Sequence, residues 1–123
     1  MIKRIDIPPY DSYDLSAFVV TGDLVHIGHF GGYCDAKGNL LTTIEEQMDQ
    51  TLSNLERALG KIDLTLDDVV NLTVLLKNTD DFQGMHSVWK KRFKEGHYPV
   101  RSGLFTDFVS EDCLVQVFGF ASY

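Results

Sequence analysis

The segment CLVQVFGFA, residues 113–121, constrains the fold more than any other part of the chain. Its residues alternate between the two faces of a predicted β-strand, and both sets are largely apolar: Leu114, Gln116, Phe118 and Phe120 on one face, and Val115, Val117 and Ala121 on the other. Both faces then need a cover, because a contiguous wet apolar face is seldom tolerated in a monomer. The sequence therefore predicts a strand with a layer on each side.

The other predicted strands are short and separated by turn or helix signals. Gly22-Asp23 lies between two β-branched runs and predicts a tight hairpin turn. The strands are predicted at 16–21, 24–28, 69–77, 101–106 and 113–121.

Two helices follow from apolar residues at helical spacing. Thr42 and Glu45 have the spacing of a capping box and predict a helix over 43–59. Asp81 is expected to cap a second helix that Gly96 ends. The apolar stripe of this second helix is interpreted as core rather than as a cofactor-binding face: Phe82, Met85, Trp89 and Phe93. The order ββαβαββ indicates an α+β fold, a mixed sheet with two helices on one face and another copy of the chain on the other.

Length, charge and apolar runs limit the classes of function. A chain of 123 residues suits one domain spanning 1–123. A net charge of −7 argues against a nucleic-acid partner, because an acidic surface repels the phosphate backbone. No apolar run is long enough to cross a bilayer, and the N-terminus lacks the apolar region of a secretory signal. We therefore expect a cytoplasmic protein with no membrane partner, in which Cys34 and Cys113 are reduced thiols.

No metal site or serine triad is indicated. The four histidines lack ligand spacing, neither cysteine belongs to a CxxC motif, and no nucleophile elbow is present. We expect neither a metal nor another cofactor.

The stretch HYPVRSG, residues 97–103, places Arg101 at the start of a predicted strand. Most arginines lie on solvated surfaces, so an exposed charge is one interpretation. A guanidinium turned towards a ligand is the other, and the local pattern does not decide between them.

Four stretches in this order resemble the RidA family, also called the YjgF or L-PSP family: GDLVHIGHF, TIEEQMDQTLSNLERAL, DDVVNLTVLLKNTDDF and YPVRSGLFTDFVSEDCLVQVFGFA. The resemblance implies a chorismate-mutase-like fold that packs as a homotrimer through its sheets, with ligand clefts between subunits. It also implies hydrolysis of reactive 2-imino acids, the imine tautomers of enamines released by PLP-dependent dehydratases, to 2-oxo acids and ammonia. Family members have also been labelled ribonucleases or translation inhibitors, a label that the acidic charge of this chain supports little.

The resemblance assigns a carboxylate-binding role to Arg101. A planar guanidinium stays ionised and offers two parallel donors to a carboxylate. The backbone N–H of Gly103, at a position where many relatives have cysteine, is expected to hold the same carboxylate. Ser102 is either a strand residue or a hydrogen-bonding group of the pocket. His29 stands where the family has a strand-end glycine, and is either an acid/base group or a ring packed against a partner.

Two departures from the family pattern affect the expected site. Leu15 stands where some relatives have a cleft-lining tyrosine, which is expected to change the preferred ligand shape. Gln116 replaces the glutamate that positions the hydrolytic water, and a glutamine can accept a hydrogen bond from water but cannot take its proton. Two functions therefore remain open: a 2-imino acid deaminase, or a noncatalytic protein that binds small carboxylates such as 2-oxo acids.

Overall fold

The segment that is apolar on both faces lies in the middle of a six-stranded sheet. A computed structural model describes residues 1–123. Its strands and α-helices are β1 (Ile2–Ile5), β2 (Phe18–Thr21), β3 (Leu24–Gly31), α1 (Ile44–Gly60), β4 (Val69–Leu76), α2 (Phe82–Arg92), β5 (Val100–Phe105) and β6 (Val115–Ser122). The strand order is β1-β2-β3-β6-β4-β5. Only β4 and β5 run parallel, so the predicted mixed sheet with two helices is confirmed.

Both helices pack on the same face of the sheet, because each has one apolar stripe to bury. Met48, Leu52 and Leu55 of α1 are fully buried, and Met85 and Trp89 of α2 join them in a single core. The inward residues of β6 are also buried: Val115, Val117 and Ala121. Burying a side chain of this size contributes about 1.5–3 kcal/mol, so this layer is the main source of stability.

The capping box of α1 lies one residue later than the sequence analysis expected. Thr43, not Thr42, is the N-cap, and its hydroxyl accepts a hydrogen bond from the backbone N–H of Glu46. The Glu46 carboxylate in turn accepts from the N–H of Thr43. Thr42 with Glu45 has the same spacing, so the local sequence does not distinguish the two pairs.

Two further details differ from the sequence-based expectation. The short strand β1 was missed, because four residues with two charges between isoleucines give little alternation to read. Helix α2 ends at Arg92 rather than near Gly96, because Phe93 turns to extended backbone and packs its ring 4.5 Å from that of Trp89. In the sheet, β4 lies between β5 and β6.

The face of the sheet opposite the helices has no cover within the chain. Gln116, Phe118 and Phe120 of β6 point to it and are only half-buried. Val100 and Leu104 of β5 lie at register positions on the same face and are exposed. This is the second apolar face that the alternation of β6 predicts.

Neither α1 nor α2 combines the length and the apolar character that a membrane-spanning helix requires.

Candidate functional site

Arg101 lies on β5 and points towards α2 rather than into open solvent. Its backbone pairs with Leu72, whose side chain is fully buried beneath the helices, so Arg101 lies on the helix-covered face. Its guanidinium carbon lies 4.9 Å from the centre of the Trp89 ring and 5.4 Å from that of Phe82. Nη1 donates a hydrogen bond of 3.0 Å to Nδ1 of His86. Three side chains of one helix therefore hold this cation.

The charge of Arg101 has no acidic partner in the chain. The salt bridges of the protein involve Arg92 and His97, and none involves Arg101, although the sequence has 18 acidic residues. A half-buried cation has lost part of its hydration, so an unpaired one favours an external anion. The guanidinium opens on a cavity of about 400 Å³ whose other walls include Lys90, Tyr98 and Pro99.

The neighbours of Arg101 on β5 differ in their placement. Ser102 points to the uncovered face, where its backbone pairs with Thr73. Gly103 returns to the helix-covered face, where an added Cβ would lie 3.9 Å from the Phe82 ring. Gly103 is thus on the same face as Arg101, and Ser102 is on the other.

His29 and Gln116 meet on the uncovered face, 87 residues apart in sequence. Nδ1 of His29 lies 3.3 Å from Oε1 of Gln116, and the His29 ring stacks on Phe118 with centres 4.6 Å apart. An amide oxygen only accepts, so Nδ1 of His29 is the donor of this hydrogen bond, and in the neutral imidazole Nε2 then keeps its lone pair. This arrangement makes Nε2 a proton acceptor.

A β-bulge decides the direction in which His29 points. Ile27 faces the core, and strict alternation would turn His29 inward and Phe30 outward. The register of β3 against β6 shifts between Ile27 and Phe30, and Phe30 is buried while His29 is exposed. The extra residue of the bulge therefore directs the imidazole to the uncovered face.

Gln116 is held in place from the helix layer. Gln47 of α1 is buried, and its side-chain oxygen accepts from the N–H of Leu114 while its amide donates to the carbonyls of Leu41 and Asp112. These bonds fix the start of β6 against α1. The position of Gln116, two residues beyond Leu114, is consequently set by the core rather than by a loop.

The His29–Gln116 pair opens on a second cavity of about 400 Å³. Tyr13, Tyr33, Cys34 and Cys113 also line it. Leu15, the expected counterpart of the family tyrosine, is exposed and lies outside this lining, whereas Tyr13 is part of it. Burial raises the pKa of the Cys113 thiol, so it stays protonated and is a poor nucleophile.

Arg101 and the His29–Gln116 pair do not meet within one chain. They lie on opposite faces of the sheet, and β4 separates β5 from β6. Neighbouring strands are about 4.8 Å apart, so the two strands are about 10 Å apart. One chain thus holds the Arg101 guanidinium and the His29–Gln116 pair at two places that point in different directions.

Several residues at these two locations were not identified from the sequence as functional. Phe82 and Trp89 were interpreted as core alone, yet they also hold the guanidinium of Arg101. The sequence patterns exclude His86 as a metal ligand and assign it no other role, and they assign none to Tyr13. The spacing of Phe82, His86 and Trp89 on one helical face was a usable signal, but nothing local indicated that Arg101 would pack there.

Comparison with known proteins gives consistent matches. The family model described as Endoribonuclease L-PSP matches residues 7–122. A RutC family protein of Haemophilus influenzae is 30% identical over 94 residues, covering 76% of this chain and 68% of the relative. An Escherichia coli protein named provisionally as the reactive intermediate deaminase TdcF is 26% identical over 99 residues, covering 78% and 72%. A crystal structure from Entamoeba histolytica, described provisionally as an endoribonuclease L-PSP, has a TM-score of 0.87 at 26% identity and covers 100% of both chains.

Proposed function

Because this chain belongs to the L-PSP family, also known as RidA or YjgF, we propose that it hydrolyses reactive 2-imino acids to 2-oxo acids and ammonia. The names of relatives support the general activity, since one of them is named, provisionally, a reactive intermediate deaminase. We further propose that residues 1–123 act as one domain in the cytoplasm.

The observation on which the proposal depends is the half-buried, unpaired guanidinium of Arg101. It opens on a cavity between α2 and the segment before β5, with Nη2 and Nε not engaged by any protein group. These donors suit a carboxylate, because a guanidinium forms two parallel charge-assisted hydrogen bonds with it. The nearby N–H of Gly103 is proposed as a further donor.

The complete site requires two copies of the chain. Arg101 cannot reach His29 and Gln116 of its own chain, because the sheet lies between them. A second copy laid against the uncovered face would hide Phe118, Phe120 and their apolar neighbours, and would bring its own edge strand β5 towards the His29–Gln116 cavity. We propose a homotrimer, in which every cleft takes Arg101 from one subunit and His29 with Gln116 from the next.

The proposed chemistry is addition of water to the imine carbon followed by loss of ammonia. The imine reacts in its protonated form, C=NH2+, and Nε2 of His29 takes one proton from the water as its oxygen bonds to carbon, which leaves a hydroxyl and a neutral NH2 group on that carbon. His29 returns this proton to the NH2 group. The C–N bond then breaks as the C–O bond becomes double, and the hydroxyl proton leaves with the ammonia as ammonium. Gln116 holds the His29 ring by accepting from Nδ1–H, and general acid–base help of this kind contributes about 10²–10⁴-fold in rate.

A dehydratase-coupled assay tests the proposal. A PLP-dependent dehydratase generates the imine in place, and release of the 2-oxo acid is followed with and without this protein. We expect faster release with the native chain and no effect with Arg101→Ala. Unchanged kinetics at high concentrations of native protein would refute catalysis.

The second candidate function is noncatalytic binding of small carboxylates on the same trimer. Gln116 favours it, because an amide cannot replace the family glutamate as a proton acceptor. This function predicts saturable stabilisation by 2-oxobutanoate that depends on Arg101, without turnover. The two assays together separate an enzyme from a binding protein.

A further inference from the structure

We propose that His86 is the positioning residue of the carboxylate site, acting through Nδ1 to hold the guanidinium of Arg101 in its binding orientation. The consequence for substrate rests on the proposed function, whereas the orientation of Arg101 does not.

The geometry places His86 between the two aromatic contacts of Arg101. Phe82, His86 and Trp89 are four and three residues apart and share one side of α2. The rings of Phe82 and His86 are nearly parallel, at 8°, with centres 6.1 Å apart. Aromatic contacts attract the cation but do not fix its rotation, because a π face accepts many orientations. The hydrogen bond to His86 supplies the missing direction.

The hydrogen bond also defines which atoms remain for a ligand. A guanidinium only donates, so Nδ1 of His86 must be the acceptor and the imidazole must be neutral with its proton on Nε2. Nη1 is engaged on this side, which leaves the edge formed by Nη2 and Nε for the parallel bonds to a carboxylate. Without His86 the flexible side chain of Arg101 would sample other rotamers. Ligand binding would then have to order this side chain, and the conformational entropy lost would reduce the affinity.

Three substitutions at position 86 separate this role from simple packing. His86→Asn keeps an acceptor near the place of Nδ1, His86→Gln moves its acceptor towards the place of Nε2, and His86→Leu has none. His97→Leu is the control, because it removes an exposed imidazole whose contact is with Asp67. Folding of each variant is checked by circular dichroism and thermal unfolding.

The first measurement needs no substrate. Nitrogen-15 NMR of the Arg101 side chain reports how fast its guanidinium rotates. We expect slow rotation in the native chain, His86→Asn and His97→Leu, and averaged signals in His86→Gln and His86→Leu. Native-like signals in His86→Leu would overturn the inference, and if that variant does not fold, the comparison of the Asn and Gln variants decides.

The second measurement tests whether the orientation of Arg101 affects substrate binding. In the imine assay, His86→Gln and His86→Leu should raise KM about tenfold with kcat within about twofold, and His86→Asn should be close to native. A loss confined to kcat would overturn the positioning role. If the native chain shows no turnover, the proposed enzymatic function fails, and the NMR comparison still decides whether His86 orients Arg101.

Discussion

Arg101 and Gln116 lie on opposite faces of the same sheet, with β4 between their strands. Arg101 contacts α2 on the covered face, whereas Gln116 contacts His29 on the uncovered face. A ligand held by the guanidinium of one chain therefore cannot reach the proton-accepting pair of that chain. This separation is the reason why the proposed cleft takes its two halves from different copies of the chain.

Mixing two inactive variants should restore activity. Arg101→Ala and His29→Ala each damage one half of the cleft, so neither alone should hydrolyse the imine. After both are unfolded together and refolded as an equal mixture, about a quarter of the clefts should join an intact Arg101 to an intact His29. The coupled assay measures the recovered rate. No recovery in mixed trimers, verified by mass, would contradict a cleft shared between subunits.

Removing the guanidinium of Arg101 should strongly weaken substrate binding. Arg101→Ala is expected to raise KM about 100-fold or more, because two charge-assisted hydrogen bonds are lost. Arg101→Lys should be intermediate, since it keeps the charge but not the two parallel donors. The matched control is Arg57→Ala on α1, whose guanidinium donates its one side-chain hydrogen bond to Asn54. Equal effects at the two arginines would contradict the role of Arg101.

Restoring a carboxylate beside His29 should raise the rate. In Gln116→Glu the new side chain accepts from Nδ1–H of His29 and makes Nε2 a stronger base, so kcat should rise about tenfold. Gln50→Glu, which adds the same charge on α1, should leave kcat unchanged. A rise that survives His29→Ala would instead identify Glu at position 116 as the base, and an unchanged rate would contradict the proton-accepting role of the pair.

Stability should fall at alkaline pH through Tyr10. Burial raises the pKa of Tyr10 from its ordinary 10.0 to about 12. Below about pH 10 both the folded and the unfolded chain keep the Tyr10 proton, and the stabilising contribution of this group is fully present. As pH rises from about 10 to about 12, the unfolded chain releases the proton that the folded chain retains. The free energy of unfolding therefore decreases over this range. Urea unfolding across this range should show the decrease in the native chain and in Tyr13→Phe, but less of it in Tyr10→Phe. An identical slope in all three would contradict the raised pKa.

Gly32 should tolerate no side chain. An added Cβ would lie 2.7 Å from the backbone nitrogen of Thr51 and 2.8 Å from the carbonyl carbon of Gln50, both in α1. Gly32→Ala should therefore reduce the free energy of unfolding by about 2 kcal/mol. Gly60→Ala is the control, because nothing lies within 4 Å of its added Cβ, and it should gain about 0.5–1 kcal/mol. Chemical denaturation measures both.

Much of the fold could be predicted from local patterns. The alternation in β6, the stripe in α1 and the Gly22-Asp23 turn each repeat within a few residues, and each was assigned correctly. The local sequence does not fix a helix boundary where two candidate N-cap residues fit equally well, as Thr42 and Thr43 do at the start of α1. The isolated strand β1 needs the edge of β2 to form, so its own four residues did not indicate it.

The sequence by itself determined which residues share a face of one element, because side-chain periods of two and about 3.6 are local properties of strands and helices. Its resemblance to a family also assigned roles to Arg101 and Gln116. Only the tertiary structure decided what these residues meet. His29 points to Gln116 because a bulge shifts β3 against β6, and Arg101 meets His86 because α2 packs over β5. Such contacts depend on register and packing between distant segments, and no local period encodes them.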